Sequence, residues 1–157
     1  MMMQLSCNVL NALKGRTLVT AESCTGGGIG AALTAVSGSS AVYKGGIISY
    51  TNDVKVSQLS VDPELLDRVG AVSAEVAQAM AAGARKNLSA DVAVSVTGLA
   101  GPSGDDFGNP VGTVFIGYCD AQKSLSKQFC FSGDREAVRR QAVRAALTIV
   151  LEENAIE

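Results

Sequence analysis

Apolar positions along the chain switch between two periods. Residues 4–14 carry Leu5, Val9 and Leu13 at a spacing of four, the stripe of a helix closed by Gly15. Residues 17–22 (TLVTAE) form a short, β-branched run bounded by glycine, which predicts a strand. That strand leads through Ser-Cys-Thr-Gly-Gly-Gly into a small-residue helix over residues 29–36. A second strand is expected at residues 46–50 (GIISY), followed by a short helix capped by Asn52 and ending at Leu59. Asp62-Pro63-Glu64 sets a cap, a first-turn proline and an acid in sequence, and Ser73 caps an alanine-rich helix to about Leu88. Residues 91–97 (DVAVSVT) read as a buried strand, and residues 98–110 as a glycine-rich loop. Residues 111–119 and 124–131 pair as a hairpin, with Leu125, Phe129 and Phe131 on one face. Asp134 caps a last helix whose Val138, Ala142, Ala145, Ala146 and Ile149 share a side. Helices alternating with strands and a late hairpin predict one α/β domain over residues 1–157. It should have three layers, α/β/α, with a mixed, mostly parallel sheet.

Composition narrows the chemistry. The 157 residues match a single domain, and 47% apolar against 18% charged residues excludes a disordered chain. A net charge of −2 leaves no basic footprint, so no nucleic-acid partner is expected. The chain has no histidine, which excludes a Ser-His-Asp triad, a histidine-ligated zinc and an imidazole base. Cys7, Cys24, Cys119 and Cys130 form no CxxC pair and are expected to be reduced thiols of a cytoplasmic protein. The first residues lack a basic segment and a small-residue cleavage site, and no apolar run approaches a membrane span, so no membrane partner is expected.

Ser23 falls where a strand ends and a helix begins, the position at which open α/β sheets bind ligands. There it is either a nucleophile, with Thr25 and Gly26 as oxyanion donors, or simply the cap of the next helix. Gly26, Gly28 and Ala31 satisfy a weak dinucleotide-binding pattern, but the acid that should follow about 20 residues on is missing. Cys24 is a rival nucleophile, though a buried structural thiol fits a chain without histidine better. Of six lysines, Lys55 lies one turn past the second strand, on the edge of Ser23 if the two strands are parallel. A desolvated lysine can act as a base, whereas a solvated one cannot; Tyr50, five residues earlier, could orient it or relay a proton.

Arg135 and Arg139 share a face of the last helix and sit in its first turns, where the macrodipole disfavours cations. They are read either as a bidentate anion site or as ion pairs with Asp134 or Glu136. Thr97 offers a hydroxyl at the end of another strand, beside Gly98. Asp105 and Asp106 raise the question of a metal, but adjacent acids in a loop are more often solvated.

The stretches TAESCTGG (20–27), ISYTNDVK (48–55), GAVS (70–73), VTGLAGPSG (96–104), NPVGTV (109–114) and FSGDREAVRRQA (131–142) together resemble the C-terminal domain of competence/damage-inducible protein CinA. The resemblance runs in order through most of the chain, and that family includes free-standing nicotinamide mononucleotide amidases. It implies hydrolysis of the nicotinamide amide to nicotinate mononucleotide and ammonia, by a metal-independent Ser/Lys mechanism without a cofactor. The implied partner is a small pyridine nucleotide. The matching positions are Ser23 as nucleophile, Lys55 as base and Tyr50 as its helper. Thr25, Gly26, Gly27, Thr97, Gly98, Arg135 and Arg139 fall on the substrate-binding side. Longer family members carry a molybdopterin-binding-like domain, whose functions do not carry over to this stretch. Gly28 replaces a larger apolar residue common in the family and is expected to loosen the pocket wall. The alternative is a non-catalytic nucleotide-binding module, or an interaction protein linked to competence or DNA damage. The outer edge of the hairpin could pair across a homodimer.

Overall fold

Three strands have almost no solvent-facing side, Thr113–Cys119 being buried at six of its seven positions. Leu18–Glu22 (β1) is buried at all five positions, and Val92–Gly98 at six of seven. Near-continuous burial of this kind needs cover on both faces of a sheet. In the computed structural model, which describes residues 1–155, Tyr43–Ile48 (β2) and Val92–Gly98 (β3) flank β1, both parallel to it. Thr113–Cys119 (β4) and Ser124–Cys130 (β5) form the hairpin, giving the order β2-β1-β3-β4-β5. β4 is antiparallel to both neighbours, so four of the five strands run in one direction. This is the mixed, mostly parallel sheet expected from the pattern.

Helices close the sheet on both sides. Met2–Ala12 (α1), Gly28–Thr34 (α2) and, from the end of the chain, Arg135–Glu153 (α6) cover one face. There Val9, Ile29 and Leu147 meet Val94 and Ile116. Asn52–Leu59 (α3), Pro63–Val69 (α4) and Ala74–Asn87 (α5) cover the other, where Leu59, Leu66 and Met80 meet Val19 and Ala93. α5 lies very close to the sheet because the residues beneath it are small. Ser95 donates its hydroxyl hydrogen bond to the Ala77 carbonyl, and a Cβ on Gly117 would overlap that same carbonyl. Among the described residues no helix is long and apolar enough to cross a membrane.

The expected caps at Asp62, Ser73 and Asp134 each accept a backbone N–H of the first turn, from Glu64 (3.0 Å), Val76 (3.3 Å) and Ala137 (2.9 Å). Two boundaries move. β2 spans Tyr43–Ile48 instead of residues 46–50, because its register runs out with β1 at the Glu22–Ile48 pair. The cap of α3 is Thr51 instead of Asn52. Both shifts free residues 49–51 to form a loop over the carboxyl edge of the sheet.

Candidate active site

The carboxyl ends of β1, β2 and β3 form one rim, and the chain leaves each of them through a loop that faces the others. Ser23 follows β1 directly and is still tied to β3 through its N–H, which donates to the Val96 carbonyl (3.0 Å). Next to it, β2 gives way to residues 49–51, and α3 turns back beneath them. That return brings Lys55 under the loop, buried to 1% exposure. Its Nζ lies 3.1 Å from Ser23 Oγ, 2.8 Å from the Ser49 carbonyl and 3.3 Å from the Tyr50 carbonyl.

Burial with no carboxylate partner destabilises the ammonium, and the Lys55 pKa falls from 10.5 to about 8; the neighbouring Cys24 pushes weakly the other way. As an ammonium Lys55 donates at all three contacts, to Ser23 Oγ and to the two carbonyls; as an uncharged amine it keeps two N–H groups and gains a lone pair. Carbonyl oxygens can only accept, so the two of them take the two N–H groups of an uncharged amine. The lone pair is then left for the direction of Ser23 Oγ. Cys24 is buried beside this pair, and desolvation pushes its thiol up to about 11, which makes it a poor nucleophile.

Glu22 was not singled out from the sequence, yet it organises the turn after the strand. It is buried to 2%, and its carboxylate accepts from the Thr25 hydroxyl (2.7 Å), the Ile29 N–H (2.8 Å) and the Gly30 N–H (3.0 Å). The N-terminal donors of α2 are therefore occupied by the protein's own acid. This overturns the dinucleotide reading of Gly26, Gly28 and Ala31, since a pyrophosphate would need those same groups. Gly26 is committed too, its N–H donating to the Ser23 carbonyl (3.0 Å) and closing the turn. Thr25 and Gly26 stand behind Ser23, off the wall of the cavity it opens into, and Gly27 faces a separate cleft beside Thr20 and Gly46. Gly28 likewise lies away from that wall: a Cβ there would meet Val143 of α6 at 3.0 Å, so the expected loosening of the pocket does not arise. An acid on the last position of a strand, just before a glycine-rich helix start, was the available signal for Glu22.

In front of Ser23 and Lys55 opens a cavity of about 360 Å³, a size suited to a small ligand. Its walls are Tyr50, Thr51 and Asn52 on one side, Ala71 and Val72 on another, and residues 97–103 on a third. Thr97 lines it, but its hydroxyl donates to the Ala71 carbonyl (2.8 Å) and so braces two walls together; Gly98 lies beside it. Asp105 acts in the same scaffold. Its carboxylate accepts from the N–H groups of Phe107 and Asn109 and from Asn109 Nδ2, while Asn109 reaches the Val72 carbonyl (3.1 Å). Among the described residues no three His, Cys, Asp or Glu side chains group as a metal site.

The two arginines divide. Arg135 reaches the cavity, donating to the Gly101 carbonyl (2.7 Å) and to the Tyr50 hydroxyl (2.9 Å). Arg139 does not; it donates to the carbonyls of Cys24 (3.0 Å) and Thr25 (3.2 Å). Neither pairs with Asp134 or Glu136, the ion pair of this region being Arg140 with Glu136 at 3.9 Å. Tyr50 meets Lys55 through its main-chain carbonyl, while its phenol faces Arg135; the expected side-chain relay is thus replaced by a main-chain contact.

A three-layer α/β sheet with a buried serine–lysine pair on its carboxyl rim defines the class of protein. More specifically, the chain belongs to the CinA C-terminal domain family, whose model matches residues 2–154. It is 47% identical over 149 residues to nicotinamide-nucleotide amidohydrolase PncC of Escherichia coli K12, covering 93% of this chain and 90% of that protein. It is 50% identical over 135 residues to the Pseudomonas putida protein of the same name, covering 86% and 84%. A solved CinA superfamily protein from Klebsiella pneumoniae 700603 superposes with a TM-score of 0.95 at 37% identity, over 99% of this chain and 98% of that one. The competence/damage-inducible protein from Agrobacterium tumefaciens gives 0.94 at 38% identity, over 98% and 95%.

Proposed function

We propose that this protein is a nicotinamide-nucleotide amidohydrolase, converting nicotinamide mononucleotide and water to nicotinate mononucleotide and ammonia. The observation that carries the reading is the 3.1 Å approach of Lys55 Nζ to Ser23 Oγ at the floor of the cavity. Neutral Lys55 takes the Ser23 proton as Oγ bonds to the carboxamide carbon. The resulting ammonium returns that proton to the departing nitrogen, the carbon–nitrogen bond breaks, and ammonia leaves an ester on Ser23. Water then attacks the ester carbon, giving its proton to Lys55, and Ser23 departs as a hydroxyl with the proton handed back. The acid product gives its remaining proton to solvent, where the released ammonia takes it up as ammonium, and leaves as a carboxylate with every protein group back in its starting state.

Arg135 supports the nucleotide half of the reading. Its guanidinium lies on the cavity wall, and among the described residues two of its five N–H groups are committed, to Gly101 and Tyr50. A phosphate bound there contributes remote binding energy that orients the amide over Ser23. The names of the PncC relatives support the same substrate class. Ammonia release from nicotinamide mononucleotide by the purified protein tests the proposal. The wild type releases it and Ser23→Ala does not; release at the wild-type rate from Ser23→Ala refutes the nucleophile, and none from the wild type refutes the substrate.

A further inference from the structure

We propose that Arg139 is a positioning residue for Ser23 and takes no part in holding substrate; the kinetic half of this proposal rests on the amidohydrolase reading above. Its side chain leaves α6 one turn beyond Arg135 and ends on the carbonyls of Cys24 (Nε, 3.0 Å) and Thr25 (Nη2, 3.2 Å). These oxygens belong to two successive peptide groups just past the nucleophile. The segment needs an outside grip, because it runs into Gly26 and Gly27 at φ 57° and 104°, where glycine has wide backbone freedom. The guanidinium also covers the first of them: a Cβ on Gly26 would lie 3.7 Å from Arg139 Nη2.

The geometry of a trans peptide transmits this grip to Ser23. An N–H points opposite to the C=O of its own peptide group, so carbonyls turned toward Arg139 turn the N–H groups of Thr25 and Gly26 the other way. The Gly26 N–H closes on the Ser23 carbonyl at 3.0 Å, which couples the gripped peptides to the backbone of the nucleophile. Glu22 holds the same turn independently through the Thr25 hydroxyl at 2.7 Å. A planar guanidinium spans two carbonyls at fixed spacing, while a lysine ammonium offers one point charge and a mobile stem. Arg139 is absent from the walls of the cavity, so its removal changes how Ser23 is presented and leaves the binding surface intact.

The experiment compares wild type, Arg139→Ala and Arg139→Lys in steady-state turnover of nicotinamide mononucleotide and its unphosphorylated riboside, and in hydrogen exchange of the peptide spanning residues 22–28. A nucleophile displaced by about 1 Å loses ~10²-fold in rate. The expected result for Arg139→Ala is therefore a ~10²-fold lower kcat on either amide, with KM within about twofold. Added guanidinium ion restores part of that kcat, and Arg139→Lys falls between the two. Amide exchange in the turn becomes about tenfold faster as its local opening costs less. A loss confined to the phosphorylated amide, a raised KM with kcat retained, or unchanged exchange in the turn overturns the proposal. Should the wild type hydrolyse neither amide, the functional reading fails and the exchange comparison alone decides the positioning role. If Arg139→Ala does not fold, Arg139→Lys carries both measurements.

Discussion

Raising the pH titrates the proposed base directly, and the burial of Lys55 sets the pH range in which the response falls. With a Lys55 pKa of about 8, about 9% of the free enzyme holds the neutral amine at pH 7 and about 91% at pH 9. The value of kcat/KM therefore rises about tenfold between those points and is nearly flat above pH 9. An ordinary lysine at 10.5 would be neutral in about 0.03% of molecules at pH 7, so burial multiplies the available base roughly 300-fold. Initial-rate ammonia release, measured from pH 6.5 to 10 at substrate concentrations well below KM, reads this directly. A profile already flat at pH 7, or one still climbing tenfold per unit between pH 9 and 10, refutes the assignment of Lys55 as base. The same shift has a signed consequence for stability. The unfolded chain binds the extra proton between pH 8 and 10.5, so stability rises with pH across that window. Below pH 8 the buried amine costs on the order of 3 kcal/mol, a cost that disappears above 10.5.

Two further outcomes follow from the framework around the pair. Glu22→Ala removes the acceptor of three hydrogen bonds in a buried site, a loss of about 3 kcal/mol that lowers Tm by roughly 6–12 °C. A change under 2 °C in differential scanning fluorimetry would show that α2 is capped by other means. Among the cysteines, Cys130 is exposed while Cys24 and Cys119 are buried with raised pKa values. Iodoacetamide should therefore modify Cys130 well before either, and peptide mass spectrometry showing Cys24 alkylated at the same rate contradicts the packing around Ser23.

The residues that were legible in advance are those whose role is local. Asp62, Ser73 and Asp134 announce helix starts because a cap needs only its own first turn. Ser23 was legible because a strand running into a glycine-rich helix start marks the ligand-binding edge of a parallel sheet. The place of Lys55 beside it depends on β1 and β2 being parallel, which they are. The residues missed or misread act across distance. Glu22 reaches Gly30, eight positions on, and Arg139 reaches Cys24, 115 positions away. No periodicity encodes such contacts. Arg135 and Arg139 look equivalent as a pair at i and i+4, yet one points to the cavity and the other to the backbone behind the nucleophile. The sequence pattern carries β2 to residue 50, two residues past its end at Ile48, for a related reason. Ile47, Ile48 and Tyr50 have strand propensity, but the neighbouring strand stops at Glu22; Ser49 still donates its N–H to the Glu22 carbonyl (2.8 Å), and beyond it Tyr50 has nothing to extend along.

The central claim is that Ser23 becomes acylated by the substrate. Rapid acid quench of the protein during turnover of nicotinamide mononucleotide, followed by peptide mass spectrometry, tests it most directly. The mechanism predicts that the peptide containing Ser23 gains the mass of the nicotinate mononucleotide acyl group, and that Lys55→Met, lacking the base, gives none. Ammonia released in the first turnover while that peptide stays unmodified and the acyl mass appears on another residue would contradict it.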